Sequence, residues 1–477
     1  MSSTHADGLP AARFQDRCGD PKLSRRSGLL AIATGLLAGC KSEPVVESQP
    51  TSVSSVPLRI GIYEPGDASS SGNGESLTVV DDGFADSIRR VWALASEQPI
   101  EIVPLNTPAV ASGPDADSSA IEKAMASQAL GVDVMIFPQR MLGTYVQFRC
   151  LVGLSAEVLT GFETELGKTL PSVRNGLGIY GGESYGVAGG AKVFAFLASD
   201  PEATCVDWEA YDAWVTANEG LAAEPLADGW AATSFLHRCA TSLQRDWLFD
   251  RNTFRPFLDS QEYRDVLSLM KQTADRYVGD ALDPAGIWRA IRQGTLSGGI
   301  GYEVSNADDE IVTEMDEPLD VSISNSPALT EATQIWFPPS TPIVALSVGC
   351  RQTDASKRMI GWLSGGEQVE SLWRTTERFS PTRKRDISEA NRQRPSSNYL
   401  RWLETRLTAV QVQTPLCVPF ANQYHEALDD EVLACLAGRQ SPEAALRSVS
   451  ARWEAITDVV GRKQQTAAWK RARGFGG

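Results

Sequence analysis

Residues 58–137 alternate between short apolar runs and longer amphipathic segments, and this alternation constrains the fold more than any other feature of the chain. The runs LRIGIY, IEIVPL and VDVMIF are typical of buried strands, and segments with helical periodicity separate them. Strand–helix–strand order predicts an α/β fold with a parallel sheet covered by helices. Ligands bind such sheets beyond the carboxyl ends of the strands, so the loops that begin at Glu64 and Pro138 are expected to contact a ligand.

The later half of the chain is richer in helix. Helical spacing of apolar residues predicts a helix within 260–277 and two helices within 354–373, on either side of a glycine pair. The segment after Ser441 is the clearest case, because this serine can cap a helix and Pro442 suits the first helical position. Apolar residues then repeat at three- and four-residue spacing up to about residue 460.

The N-terminal segment has the pattern of an export signal. Residues 27–39 carry no charge, follow Arg25 and Arg26, and are too few to span the roughly 30 Å core of a bilayer as a helix. The sequence LAGC that ends at Cys40 resembles the lipobox of bacterial lipoproteins, in which the cysteine is lipidated and becomes the new N-terminus. We therefore predict a lipoprotein signal peptide over 1–39.

A polar, Pro- and Ser-rich stretch over 40–57 predicts a flexible tether between the lipid and the folded body. No other stretch approaches 18 apolar residues, so no membrane span is expected. The body should lie outside the cytoplasm, on the periplasmic side of a bacterial membrane. Arg25 and Arg26 also resemble the twin-arginine motif, so both export routes remain open.

The charge of the chain excludes some classes of partner. The net charge is −16, and removal of residues 1–39, which carry five Lys/Arg against three Asp/Glu, takes it to −18. An acidic body without a basic face argues against nucleic acid and anionic lipid as ligands. The lipid on the cysteine is then the expected contact with the membrane.

Six cysteines follow the lipidation site, an even number that permits disulfides in an exported protein. Closeness in sequence favours the pairs Cys205–Cys239 and Cys417–Cys435, among 15 possible pairings. The sequence contains neither C-x-x-C nor H-x-x-x-H spacing, so we predict no metal site and no cofactor.

Two glycine-rich motifs match enzyme signatures only in part. GLGIYG, over 176–181, has the letters of a dinucleotide fingerprint but lacks a strand before it and a helix after it. GESYG would make Ser184 a hydrolase nucleophile, yet a strand-like run follows where the nucleophile elbow needs a helix. We expect a protein that is not an enzyme, with a hydrolase that uses Ser184 as a minor alternative.

Aromatic residues on loops point to another kind of site. The chain has twelve tryptophans, and Trp230, Trp336 and Tyr302 lie among polar and turn residues. Flat apolar rings beside hydrogen-bonding groups suit sugars, which have apolar C–H faces and hydroxyl rims. Packing between elements is the alternative role for each ring.

A set of loose motifs in a fixed order resembles one protein family. The segments are VDVMIFPQRMLGTYVQFRCLVGLSAEV, SYGVAGGAKVFAFLASD, DWEAYDAWVTAN, AIRQGTLSGGIGYEVS, TDASKRMIGWLSGGEQVESLW, ERFSPTRK and CLAGRQSPEAALRSVSARWEAI. Together they are similar to the extracellular solute-binding proteins of ABC importers, the maltose-binding type (family 1). The resemblance covers almost all of residues 58–473.

This resemblance implies a two-lobed, periplasmic-binding-protein-like fold of type II. Lobe 1 would comprise 58–187 plus 341–378, and lobe 2 would comprise 188–340 plus 379–473. The ligand would lie in the cleft between the lobes, which would close around it by a hinge motion that the importer recognises.

The resemblance also implies which residues contact the ligand. Tyr302 occupies the position of a ligand-facing aromatic, and Trp230 lies in the segment that supplies a second stacking ring. Phe420 and Tyr424 match a late helix that often contributes an aromatic.

Three charged residues complete the expected ligand-binding set. Glu64 and Arg140 lie on loops of lobe 1, where a carboxylate and a guanidinium can bond to vicinal hydroxyls. Arg383 lies where the family's P-x-R motif approaches the cleft, and an ion pair between lobes is its alternative role.

The leading hypothesis is a lipid-anchored binding protein that delivers a sugar or related neutral solute to the membrane subunits of an ABC importer, and that works as a monomer. The alternative is a sensory or scaffold lipoprotein that retains the fold with altered or lost ligand binding.

Overall fold

The structure is a computed structural model that describes residues 55–63, 82–106, 118–243, 247–304, 319–328, 334–366, 370, 372–373, 376, 378–384 and 398–474. The signal segment, the lipidation site Cys40, the tether up to residue 54 and Glu64 lie outside the described residues.

Strands and helices alternate through most of the described chain. The strands are β1 (Leu58–Tyr63), β2 (Ile100–Leu105), β3 (Val134–Pro138), β4 (Leu151–Val152), β5 (Ile179–Tyr180), β6 (Glu183–Ser184), β7 (Gly186–Ala188), β8 (Ala195–Ala198), β9 (Ala222–Ala223), β10 (Gly298–Gly301), β11 (Ser322–Asn325), β12 (Gln334–Ile335), β13 (Pro342–Ser347) and β14 (Gln411–Val412). The α-helices are α1 (Asp82–Ala95), α2 (Ser118–Leu130), α3 (Leu142–Gln147), α4 (Ala156–Leu166), α5 (Pro171–Gly176), α6 (Trp208–Ala217), α7 (Ala231–Ser242), α8 (Gln261–Ala274), α9 (Pro284–Arg292), α10 (Thr353–Leu363), α11 (Asn398–Arg406), α12 (Ala421–Leu436), α13 (Pro442–Val460) and α14 (Arg462–Ala472). A 3-10 turn, Gln139–Met141, follows β3.

The first sheet confirms the strand–helix alternation predicted for residues 58–137. Its order is β2-β1-β3-β13-β4, with β7 also paired to β13. β1 is parallel to β2 and β3, as predicted, whereas β13 is antiparallel to β3. The sheet is therefore mixed. In chain order, β13 joins it only after the strands of the second sheet.

The helix α1 covers one face of this sheet. It buries Phe84, Ile88, Val91 and Trp92, which its helical periodicity places on one side. The Trp92 ring meets Trp362 of α10 edge to face, with ring centroids 5.2 Å apart. A helix from the start of the chain and one from its later half thus share one core.

A second sheet has the order β11-β8-β10-β9. β8 is antiparallel to both β10 and β11, and β10 is parallel to β9. Gly299 of β10 lies so close to β9 that a Cβ there would be 2.2 Å from the carbonyl oxygen of Ala223. The helix α9 packs on β8 and β10, α6 contacts β8 through its aromatic rings, and α8 contacts both α6 and α7.

Three chain segments, called the connecting segments below, pack closely together: 188–194, which joins β7 of the first sheet to β8 of the second, 336–342, which leads into β13, and 378–383. The Gly189 N–H donates to the carbonyl oxygen of Pro342 at 2.9 Å. A Cβ on Gly189 would be 2.5 Å from the Phe379 ring, and one on Gly190 would be 2.8 Å from the Arg378 carbonyl oxygen. Only glycine fits at these two positions without movement of a neighbouring segment.

The C-terminal helices contact both halves of the molecule. As predicted, the Ser441 side chain caps α13 by accepting from the Ala444 N–H, and Pro442 is the first helical residue. α12 contacts the 3-10 turn after β3, and farther along its length it packs on α7 and α8. The boundaries of the two predicted lobes stay a prediction.

The predicted disulfides are not formed, since the six cysteines from Cys150 to Cys435 are free thiols. Cys417 lies against α3, where its carbonyl group contacts Gly143, whereas Cys435 is buried on α12 near Lys271 of α8. Cys205 precedes α6, and Cys239 is fully buried within α7. Cysteines that are close in sequence therefore do not pair in the fold.

In the described part of the chain, no helix combines the length and apolar character needed to cross a bilayer. Within the same ranges, no group of three or more His, Cys, Asp or Glu side chains could hold a metal ion.

Candidate functional site

A cavity of about 570 Å³ lies between the first and second sheets. Tyr63 and Pro138, at the carboxyl ends of the parallel strands β1 and β3, form one wall. This is the edge of a parallel sheet at which ligands usually bind. The whole lining consists of Tyr63, Gly83, Phe84, Ile136, Phe137, Pro138, Arg140, Lys192, Trp230, Tyr302, Pro338, Ser340, Thr341, Pro342, Thr376 and Arg378. The first sheet, Tyr302 directly after β10 of the second sheet, and all three connecting segments therefore contribute to this cavity.

Aromatic rings form the wall on the side of the second sheet. The Trp230 and Tyr302 rings both line the cavity and lie 6.4 Å apart, with an angle of 63° between their planes. Phe194 stacks on Tyr302 at 5.8 Å and lies 6.3 Å from Trp230, so it supports both rings from behind. The Lys192 ammonium lies 5.0 Å from the centre of the Tyr302 ring, a cation–π contact.

Arg140 extends from the opposite wall, on the 3-10 turn that follows β3. Its Nε donates to Asn422 Oδ1 at 2.6 Å, and the Asn422 amide donates to the Tyr63 hydroxyl. Burial lowers the pKa of Arg140, and the nearby Tyr63 and Glu426 oppose this shift. The guanidinium remains charged at neutral pH and is held in a fixed orientation by α12.

The same helix fixes Trp230 on the other wall. Trp230 is the N-cap residue of α7 and provides no side-chain cap. Instead the Asp429 carboxylate accepts from the Gly229 N–H at 2.9 Å and from the Ala232 N–H at 2.8 Å. Asn422 and Asp429 are seven residues apart, so both lie on one face of α12. One helical face therefore positions a charged residue and an aromatic residue on opposite sides of the cavity.

The sequence-predicted residues divide between this cavity and other places. Arg140, Trp230 and Tyr302 line it together. Trp336 instead lines a second cavity, where its ring lies 5.8 Å from His237. Arg383 is buried outside the lining of this cavity and donates to the carbonyl oxygens of Ser364 and Gly167. The guanidinium thus holds loops together rather than facing the cavity.

Phe420 and Tyr424 also lie away from this cavity, inside the core. Phe420 is buried against Phe148, with ring centroids 5.7 Å apart. Tyr424 is fully buried, and its hydroxyl hydrogen-bonds Thr457 of α13 at 2.9 Å. Both belong to α12 or its cap, as the resemblance implied, but their side chains point to the interior.

The second cavity is larger, about 740 Å³, and lies beside α7 and α11. His237 faces it, and burial lowers the pKa of this histidine to about 3, so the ring is neutral. The smaller cavity is the better candidate because it joins both sheets at strand ends and presents charged groups beside aromatic faces.

Ser184 does not have the surroundings of a nucleophile. It ends β6, a two-residue strand paired antiparallel with β5, and strand β7 follows instead of a helix. The sharp strand-to-helix turn that exposes a nucleophilic serine is therefore absent at this position.

Sequence reasoning missed several residues that shape the cavity. Lys192 and Arg378 line it, and Asn422 and Asp429 hold its walls. The glycines before Lys192 were the only available signal, since they indicated a close approach of segments in this region.

Solved structures of similar fold bind small solutes. A solute-binding protein of an ABC transporter from Agrobacterium radiobacter K84, in complex with ribitol, has a TM-score of 0.60 at 14% identity, over 84% of this chain and 98% of that one. A maltose-bound protein of T. maritima has a TM-score of 0.55 at 13% identity, over 84% and 100% of the two chains. A substrate-binding protein of an ABC system from Listeria monocytogenes, in complex with cycloalternan, has a TM-score of 0.54 at 11% identity, over 84% and 99%.

No protein-family model and no curated protein sequence matches the chain. The structural similarities show that the chain has the two-lobed α/β fold of ABC-transporter solute-binding proteins. At the level of the fold, they confirm the resemblance that the sequence motifs indicated.

Proposed function

We propose that this protein is a lipid-anchored solute-binding protein that captures a sugar or polyol outside the cytoplasm and delivers it to an ABC importer. The observation that carries the proposal is the cavity between the two sheets, in which Trp230 and Tyr302 face Arg140. The proteins of similar fold were solved with ribitol, maltose and cycloalternan, which are polyhydroxylated compounds.

The chemistry of the lining suits a polyhydroxylated ligand. Ring faces can pack against the C–H groups of a sugar, while guanidinium and hydroxyl groups bond to its hydroxyls. Ser340 and Thr341 add hydroxyl groups to the same lining. A cavity of about 570 Å³ falls within the usual range of about 300–1,000 Å³ for small-molecule sites.

The arrangement also supports a closing motion. The ligand would bridge walls that belong to different sheets, so bound solute would favour a closed arrangement of the three connecting segments. The closed form would then present a distinct surface to the membrane subunits of the importer. The lipid on Cys40 and the tether would keep the monomeric body close to them.

A thermal-shift screen of the purified mature protein against monosaccharides, oligosaccharides and polyols tests the proposal. A ligand at 100 times its dissociation constant stabilises the folded state by about 2.7 kcal/mol, which gives a readable shift. The Trp230→Ala and Tyr302→Ala variants should lose the shift.

Trp402→Ala is the matched control, because Trp402 is another partly exposed tryptophan and lines the second cavity. This variant should keep the ligand response. A screen without any response, or one in which all three variants respond like the wild type, would contradict the proposal.

A further inference from the structure

The second cavity, of about 740 Å³, takes no part in the proposed function. The Phe194 ring lies between the two cavities, because it lines the second cavity and stacks on Tyr302, which lines the cavity between the sheets. Among the described lining residues only Asp207 and Arg406 are charged, and their charges have opposite signs. The second cavity is thus a separate space whose volume is typical of small-molecule sites.

Two short strands place carboxamide groups on one side of this cavity. β12 and β14 are parallel, and Gln334 lies opposite Gln411. The pairing continues beyond β14, where the Gln413 N–H donates to the Ile335 carbonyl oxygen at 2.7 Å. Because side chains alternate along a strand, Gln413 shares a face with Gln411, and Trp336 shares a face with Gln334. Three carboxamides and one indole ring therefore line the same space.

Two of the carboxamides already form an amide–amide pair. Gln334 Nε2 donates to Gln413 Oε1. This bond leaves the Gln334 carbonyl oxygen and the Gln413 amide nitrogen to bind other groups. A carboxamide presents a donor next to an acceptor, so it recognises another group with the same pair. Glutamine and asparagine bind the edges of nucleobases in this way.

A buried histidine on α7 supplies a further polar group at the cavity wall. The His237 ring is 5% exposed and lies 5.1 Å from Phe194 and 5.8 Å from Trp336. Burial lowers its pKa to about 3, so the neutral ring has one donor and one acceptor nitrogen. Neither nitrogen hydrogen-bonds another residue in the described part of the chain. Buried polar groups are normally hydrogen-bonded, so this histidine indicates that the cavity receives a polar ligand.

We propose that the second cavity is a binding site for a small uncharged heterocycle with an amide edge, such as a free nucleobase. Gln334, Gln411 and Gln413 bind the edge, and the flat ring packs against Trp336, as bases stack on aromatic side chains. The net charge of −16 disfavours nucleotides, whose phosphates the protein repels. The inference is independent of the proposed function, because it concerns a different cavity and compounds without sugar hydroxyls.

Pairs of compounds that differ only in the amide edge test the inference. We would titrate the mature protein with uracil and 1,3-dimethyluracil, and with nicotinamide and N,N-dimethylnicotinamide, and follow binding by calorimetry. The compound with the free amide edge should bind roughly tenfold or more tightly than its methylated partner. A cavity that only accommodates apolar rings would favour the methylated compounds instead, because methylation adds apolar surface.

Matched variants locate the bound compound. Gln411→Leu and Gln413→Leu remove a carboxamide with little change in size, and each should weaken binding of the free amide compound about fivefold or more. Gln261→Leu is the control, because Gln261 is an exposed glutamine of α8 that donates to Asp265. It should leave the affinity unchanged. Urea unfolding of the same preparations checks that the variants keep the wild-type fold.

The outcomes separate the inference from the proposed function. Methylated compounds that bind as tightly as their partners would overturn the inference, and so would full affinity in both cavity variants. Displacement of the bound heterocycle by maltose or ribitol would place both ligands in one site and overturn the separate site. If neither uracil nor nicotinamide binds at millimolar concentration, the inference fails, while the proposed function still depends on the screen of sugars and polyols.

Discussion

Asp429 offers a test of how the cavity wall is built, because one carboxylate of α12 caps the helix that begins at Trp230. Its two oxygens accept from the Gly229 and Ala232 N–H groups at 2.9 and 2.8 Å. Loss of a capping side chain typically costs about 0.5–2 kcal/mol, and a negative charge at a helix N-terminus adds about 0.3–1 kcal/mol. Burial raises the pKa of Asp429 and offsets part of this gain. We therefore expect Asp429→Ala to lower the free energy of unfolding by about 1–2 kcal/mol.

The change should also weaken ligand binding, because Trp230 loses the contact that fixes the start of its helix. A loss of about 1 kcal/mol in binding corresponds to about fivefold in affinity. Urea unfolding and ligand titration of the same preparations measure both effects. Asp430→Ala is the control, since Asp430 is the next residue, is exposed, and pairs with Arg452 at the surface. If the two variants behave alike in both assays, the argument for Asp429 is refuted.

Three further predictions concern stability, pH and location. Arg238→Met should lower the free energy of urea unfolding by about 3–5 kcal/mol, because it leaves the buried Glu224 carboxylate without its cationic partner. Adding Glu224→Gln should recover most of this loss. A double variant that is no more stable than the single variant would contradict the reasoning. His237 and His425 have pKa values lowered to about 3, so only the unfolded chain takes up their protons and each should reduce stability by about 1.4 kcal/mol per pH unit below pH 6.5. His237→Leu should halve the part of the loss of stability between pH 6.5 and 5 that comes from the two histidines. An unchanged slope of unfolding free energy against pH would contradict this prediction. Cys40→Ser should move the protein from the membrane fraction to the soluble fraction of cells, and continued membrane association would argue against lipidation.

The sequence predicted the elements whose signals are local. The runs that became β1, β2 and β3 and the helices between them are marked by periodicity within each segment. The start of α13 is marked by Ser441 and Pro442, whose effects act within one helical turn. The antiparallel entry of β13 was not predictable in this way, because it depends on where the chain returns from the second sheet.

The site was predicted only in part, since side-chain direction depends on tertiary packing. Trp230 and Tyr302 reach the cavity from positions flanked by turn residues. Phe420 and Tyr424 have the right chain position, but α12 turns them toward the core, where Tyr424 is fully buried. Lys192 was marked only by the glycines before it, because its contact is with the Tyr302 ring, more than a hundred residues away in the chain.

The central claim is that the solute binds between the two sheets. The most direct measurement is a crystal structure of the mature protein with the tightest sugar or polyol found by titration. The account predicts ligand density in the 570 Å³ cavity, with the carbon skeleton against Trp230 and Tyr302 and polar groups near Arg140. Density in the second cavity, beside Trp336 and His237, with the first cavity empty, would contradict it.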